Sequence, residues 1–450
     1  MLKKKSYKFL LIALIFLGGI LRLTVFWISP ANNAYDDHLE VVNIYAEDFN
    51  RPDPFQCWEC YQPPLYYYTG ASVYKTTKLF GGTQAACWKM VQAINPLLSI
   101  IVLIIAYKIL MLFKVPNLSS VITLSFIIVL PRDIFTSVML GNDYMLVFFA
   151  VLAFYLYLKT ITALNKGVRI WAWLSALVLA VILGSLTKQH GLLLLLFPCI
   201  IFLRLCRKAQ RKQLYWATPL LILGVLLSFS EEAWKYNQTG EFLVSNQHYF
   251  DFAKNQFPGS VEKVEFFTFR IFNLYQYPFI SDYTSASFFT ELFARTFFDY
   301  EWRFISPKIP WATSLGYIAY SVGLVWGLFF IVILLSWKKR SQKIKLKIDW
   351  HAITFKLVPL LLVFLFILVP FIQTLRFPYF SSMKSMFMLP GIIILLITLG
   401  SLINQNSPAQ QLGRFMVALN IFFGIILVIS IIFYLRASVN QLNGPLWPFP

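Results

Sequence analysis

Long apolar runs recur along this chain from Tyr7 to Leu435, and they narrow its possible folds more than any other feature. About twenty apolar residues in a helix cross the roughly 30 Å of a bilayer's hydrocarbon, where backbone polar groups must be satisfied within the segment. Eleven spans are expected on this basis. The first five are Tyr7 to Ile28, Ile94 to Phe113, Leu118 to Leu140, Tyr144 to Leu158 and Ile170 to Leu186. The other six are Gly191 to Leu203, Trp216 to Phe229, Trp311 to Trp337, Ile353 to Ile372, Phe387 to Ile403 and Phe415 to Leu435. Nothing between them has the size of a soluble domain. Soluble domains carry roughly 25% charged residues, against 13% here beside 58% hydrophobic. The expected fold class is an all-α polytopic integral membrane protein, residues 1–450 forming one domain.

The formal net charge of +19 brings nucleic acid to mind, but Lys and Arg punctuate the apolar runs instead of gathering on a polar module, which argues against such a partner. Their distribution reports orientation, because Lys and Arg resist translocation. Lys3-Lys4-Lys5 precedes a first run that lacks a small-residue cleavage site and reads as a retained anchor. With that end cytoplasmic, an odd number of spans puts the C-terminus outside. The cytoplasmic loops then receive Lys166 and Arg169, Arg204 through Lys212, and Lys338 through Lys347, the densest basic segments. Every Asp and Glu except Asp349 falls outside or at the outer end of a span. The expected site is extracytoplasmic, and bacterial inner membrane and endoplasmic reticulum both remain open.

Two outer segments, 29–90 and 231–310, are too long for simple connections. In the first, Asp37 to Glu47 reads as a short amphipathic helix, and Pro63-Pro64 suits the first turn of another that runs to Phe80 and stops at Gly81-Gly82. Both are expected to lie in the membrane interface. No internal repeat of the kind transporters use is evident.

The sharpest constellation is Tyr35-Asp36-Asp37-His38, just after the first span. A carboxylate there can act as general base on an acceptor hydroxyl arriving from water while an amphiphilic donor arrives from lipid. Helix capping fits the same spacing. In Tyr61-Gln62-Pro63-Pro64-Leu65-Tyr66-Tyr67-Tyr68, aromatic rings suit either sugar stacking or an interfacial belt. Cations sit near the outer ends of spans at Arg22, Arg132, Lys188, Arg376 and Lys384, with His190 nearby. Charge in a membrane is costly, so these point to an anionic partner, either Asp133 or Asp143 or a lipid phosphate. Taken alone, Arg22 reads as a side chain snorkelling to the interface. Cys57-x-x-Cys60 lies in an outer loop, which favours a disulfide over zinc. No Gly-rich phosphate loop, Gly-x-Ser-x-Gly elbow or His-Glu-x-x-His run is present.

These residues together resemble the C-type membrane glycosyltransferases, nearest the protein O-mannosyltransferases and the lipid A aminoarabinose transferases. The resemblance rests on Arg22, the acidic pair Asp36-Asp37, Pro63 to Tyr67, Gly141-Asn142-Asp143, Thr187 to Gly191, Arg376 and the stretch Lys384 to Pro390. It implies that Asp36, with Asp37 beside it, carries catalysis, and that transfer inverts the anomeric carbon. It also implies a polyprenyl-phosphate sugar donor and a cavity at the outer membrane face. The substrate-binding set expected is Tyr61, Gln62, Pro63, Tyr66, Arg132, Asn142, Asp143, Lys188, His190, Arg376 and Lys384. Two positions depart from the family pattern: Asp37 stands where Glu is common, and Gln62 where a basic residue often precedes Pro-Pro. A phosphate leaving group needs cations instead of a proton donor, so one base suffices. No cofactor is required and a divalent metal is not indicated. The expected partners are the lipid-linked donor, membrane lipids and a glycan, lipid or protein acceptor. The rival class is a transporter or flippase for an amphiphilic lipid.

Overall fold

The computed structural model describes residues 4–34, 36–207, 211–244, 263–341, 353–377, 382–403 and 407–439. Tyr35, Asp349, residues 208–210 and 342–347 of the basic segments, and 245–262 of the second outer segment lie outside the described residues. Among those described, nine helices are long and apolar enough to cross a membrane, and Asn117–Val129 and Trp171–Ser185 are shorter apolar helices. No strand occurs among the described residues, which hold one isolated bridge between Ala34 and Leu140. The protein is an all-α, multi-pass membrane protein.

Three helices form the centre: Asn117–Val129, Asp143–Asn165 and Leu389–Leu402 are buried on most sides. Around them the peripheral helices turn large apolar side chains outward, among them Phe16, Leu226, Leu328, Phe364 and Phe422. Apolar surface on this scale is a liability in water and the ordinary condition in lipid. Polar side chains join helices inside, as where Trp326 donates to Asn420 at 2.9 Å and Asn420 donates to Ser125 at 2.9 Å. Such bonds between spans replace the hydrophobic drive that lipid removes.

The run expected as one span from Leu118 to Leu140 is broken. Helix Asn117–Val129 stops, Leu130 is extended, and a short buried helix Pro131–Thr136 follows. A proline disfavours helical geometry in the residue before it and has no N–H to donate, which places the break at Leu130-Pro131. The chain then runs irregularly to Asn142, and its carbonyls are taken up by side chains. Gln92 donates to the Val138 carbonyl at 2.7 Å, and Asn95 to those of Met139 and Gly141 at 2.7 and 2.9 Å. The Gly141 N–H donates to the Tyr66 hydroxyl at 3.0 Å. Gly141 has φ +154°, and a Cβ there would meet the His38 ring.

Arg22 does not snorkel. It is fully buried, donates to the carbonyls of Gly18 and Ile127, and is ion-paired with the fully buried Asp133, which also accepts from Tyr144 at 2.9 Å. The pair ties the first helix, Lys4–Ile28, to the break after Leu130. Its position deep among packed helices leaves the guanidinium no path to the interface.

Segment 29–90, expected on the outer side, carries helices His38–Asp48 and Leu65–Leu79, with Pro64 just ahead of the second and not within its first turn. These pack against each other around Val41, Val42, Tyr45, Tyr66 and Tyr67, all fully buried. The tyrosines therefore build a small core, and of the three in a row only Tyr68 is exposed.

Removing one partner of the Arg22–Asp133 pair leaves a charge buried without compensation. Arg22→Met or Asp133→Leu alone is expected to cost about 3–5 kcal/mol, and the double change to recover much of that. Thermal unfolding of detergent-solubilised protein measures the cycle; additive losses would show that the pair does not couple these helices.

Candidate functional site

The irregular backbone at 137–142 delivers Asn142 and Asp143 to the N-terminal end of helix Asp143–Asn165. Opposite them, helix Trp171–Ser185 ends, Lys188 is extended, and a 3₁₀ helix runs from Gln189 to Leu195. The tight turn depends on Gly191, where a Cβ would strike the backbone of Gly184. Lys188 donates to Asp143 at 2.6 Å and to the Asn142 side chain at 3.2 Å, and it lies 4.9 Å from the Phe387 ring centroid. Asn142 in turn donates to the Thr187 carbonyl at 3.1 Å and to Gln62 at 3.3 Å.

Beside this network, the Lys384 ammonium donates to both oxygens of Asp36, at 2.6 and 2.8 Å. The capping alternative for Asp36 does not describe its side chain, since Asp37 is the residue at the helix boundary and makes no side-chain cap bond. Burial pushes the Asp36 carboxyl up, but the Lys384 charge and hydrogen bond, with His38 and Lys188, outweigh it and hold the group below its ordinary value. His38 is buried, shares a 2.7 Å hydrogen bond with Tyr67, and is pushed by burial down to about 4. At neutral pH it is a neutral ring that braces the turn carrying Asp36.

Asp36 and Lys384 open onto a cavity of about 340 Å³. Its polar wall also holds Glu59, Tyr61, Gln62, Lys188, His190 and Arg376, and its apolar wall holds Leu192, Leu193, Val369 and Pro370. Charged groups of both signs thus meet an apolar surface in one chamber, an arrangement suited to an amphiphile with an anionic head. His190 stacks on Phe387 at 5.6 Å between ring centroids. The remaining sequence candidates stand outside the cavity wall. Asp37 is half-exposed at the helix boundary, and Pro63 lies just ahead of helix Leu65–Leu79. Tyr66 holds Gly141, while Asn142 and Asp143 act on the cavity through Lys188. Arg132 belongs to a separate buried cluster, donating to the Arg295 carbonyl at 2.7 Å beside Glu301, which also pairs with Arg295 at 2.8 Å.

Cys57 and Cys60 are joined in a disulfide, so neither sulfur is a free thiolate ligand. Chain entropy gives so short a ring only about 2 kcal/mol, and its main effect is local shape. Sequence reasoning passed over Glu59 within that ring, and named Phe387, which faces Lys188, only as part of the stretch Lys384 to Pro390. The signal for Glu59 was an acid between two closely spaced cysteines.

No protein-family model matches the chain, and no curated protein sequence matches it. Among solved structures it is similar to ArnT from Cupriavidus metallidurans bound to undecaprenyl phosphate, at 14% identity and a TM-score of 0.38, over 86% of this chain and 77% of that one. The same protein in the apo state gives 14% and 0.37 with the same coverage. The Archaeoglobus fulgidus oligosaccharyltransferase in the apo form gives 12% and 0.48, over 96% of this chain and 55% of that one. Both neighbours are C-type membrane glycosyltransferases, the group that the sequence resembles.

The Asp36–Lys384 pair carries a pH signature. A carboxyl held below its ordinary 3.8 contributes stability that is present above that value and is lost as pH falls beneath it. In Lys384→Met burial dominates, so the Asp36 contribution should reverse and fall as pH rises through the carboxylate range. Melting temperatures in detergent between pH 4 and 8, with Lys384→Met/Asp36→Asn as control, test this; parallel profiles for the variant and its control would contradict it.

Proposed function

We propose that this protein is an inverting glycosyltransferase that moves a sugar from a polyprenyl-phosphate donor to a lipid, glycan or protein acceptor. In this reading the chain crosses the membrane eleven times, its N-terminus is cytoplasmic, and the cavity faces the extracytoplasmic side. The observation that carries it is the Asp36 carboxylate, paired with Lys384 in a chamber that has both an apolar wall and further cations.

Asp36 accepts the proton of the acceptor hydroxyl as the acceptor oxygen bonds to the anomeric carbon from the face opposite the phosphate. The bond between that carbon and the phosphate oxygen breaks, and the electron pair leaves with the phosphate. Lys384, Lys188 and Arg376 meet the growing negative charge. Lys384 is hydrogen-bonded to Asp36 before the donor arrives, and a phosphate that draws the ammonium away leaves the carboxylate a stronger base as the acceptor enters. Cations that stabilise the transition state more than the ground state lower the barrier.

Asp36→Asn keeps the shape and removes the base. Transfer in membranes supplied with lipid-linked sugar should fall by about 10²–10⁴ while insertion and yield are unchanged. Full transfer by this variant removes Asp36 from the role. Movement of intact lipid between leaflets with no glycosidic product would instead establish a transporter.

A further inference from the structure

Glu59 has no role in the steps above, yet its setting is unusual. The side chain is buried, lines the cavity, and among the described residues forms no ion pair although Lys188 and Lys384 share the chamber. Those lysines are engaged by Asp143 and Asp36. One Glu59 oxygen accepts from the Gln62 side chain at 3.0 Å, and Gln62 also donates to the Tyr61 hydroxyl at 3.0 Å. Its other oxygen makes no hydrogen bond to a described residue. The Cys57–Cys60 disulfide closes the backbone around it. A carboxyl so placed, with one oxygen held by Gln62 and the side chain lining a cavity, is arranged for a ligand.

We propose that Glu59 is a substrate-contacting residue whose carboxyl group, fixed by the Cys57–Cys60 ring and oriented by Gln62, hydrogen-bonds a hydroxyl of the donor's sugar head. This deepens the glycosyl-transfer reading and rests on it. The groups around Glu59 explain its chemistry. Burial and the Asp36 charge push it up to about 8, against Lys188, Lys384 and the Gln62 hydrogen bond, which pull it down. Tyr61, His190 and Arg376 share the same chamber. In the protonated form that burial favours, Glu59 accepts from Gln62 and donates through its own O–H. A neutral acid suits a hydroxylated hexose or pentose, while a cationic amino sugar would favour an ionised one. Neutrality also spares the donor phosphodiester a second negative charge near its cations.

The test compares wild type, Glu59→Ala and Glu59→Gln in membranes, with polyprenyl-phosphate hexoses and pentoses as donors and initial rates measured from pH 6 to 9.5. Glu59→Ala should raise the donor KM about tenfold with a smaller change in kcat. Glu59→Gln, which can accept and donate as the neutral acid does, should restore most of that loss. In wild type the donor KM should climb above pH 8 by about tenfold per unit, and in Glu59→Gln that climb should vanish. Opening the ring with Cys57→Ser/Cys60→Ser should mimic Glu59→Ala in KM while Asp36 dependence persists. If wild type transfers sugar and Glu59→Ala keeps its donor KM, or Glu59→Gln keeps the alkaline climb, Glu59 does not touch the substrate and only this inference falls. If wild type forms no glycosidic product from any of these donors, both readings fall together.

Discussion

A buried backbone that leaves helical geometry must find partners for its carbonyls and amides, and much else in this protein follows from how residues 137–142 do so. Pro131 starts the disruption, and Gln92, Asn95 and Tyr66 complete it by taking up Val138, Met139 and Gly141. Unpaired, each of those buried groups would cost about 1–3 kcal/mol. Satisfied, they fix the point at which helix Asp143–Asn165 begins, and so the place where Asp143 receives Lys188. Irregular backbone at membrane depth is tolerated where protein surrounds it or a cavity adjoins it. Here it has both.

The charges divide by what they do. Arg22 and Asp133 neutralise each other beyond reach of solvent and hold spans together. Asp143 neutralises Lys188 but leaves it at the cavity wall, and Asp36 does the same for Lys384. The first pair has no exchangeable partner. The other two border open space, and a bound anion can compete for their ammonium groups. Seen this way, the acids of the chamber hold its cations in reserve.

The helices were largely legible because apolar length is a strong signal and Pro, Gly and charge mark its interruptions. The break at Leu130 was present in the sequence as a residue before proline followed by Arg132 and Asp133, but the apolar residues that resume at Ile134 concealed it. Asp36, Lys188, His190, Arg376 and Lys384 could be singled out from residue type and place, and the structure brings them to one cavity. Which cation meets which acid was beyond reach. Asp36 and Lys384 are separated by 348 positions, and one chain carries no record of such a pairing. Arg22 misled for a related reason, since snorkelling and burial look alike until the facing helix is known. Tyr66 and Tyr67 face inward because two short helices close on each other, a tertiary event that composition does not encode. Glu59 was hidden by the attention its neighbouring cysteines drew.

The division of the chamber between Leu192, Leu193, Val369 and Pro370 on one side and the charged groups on the other has a practical consequence. Each methylene moved from water onto such a surface gains about 0.8 kcal/mol, so an acyl or alkyl tail adheres there whatever head it carries. A surfactant used to extract the protein is itself a molecule of that design. Zwitterionic or anionic micelles will crowd the chamber, and a nanodisc of native lipid is the setting in which its true occupant meets the least competition.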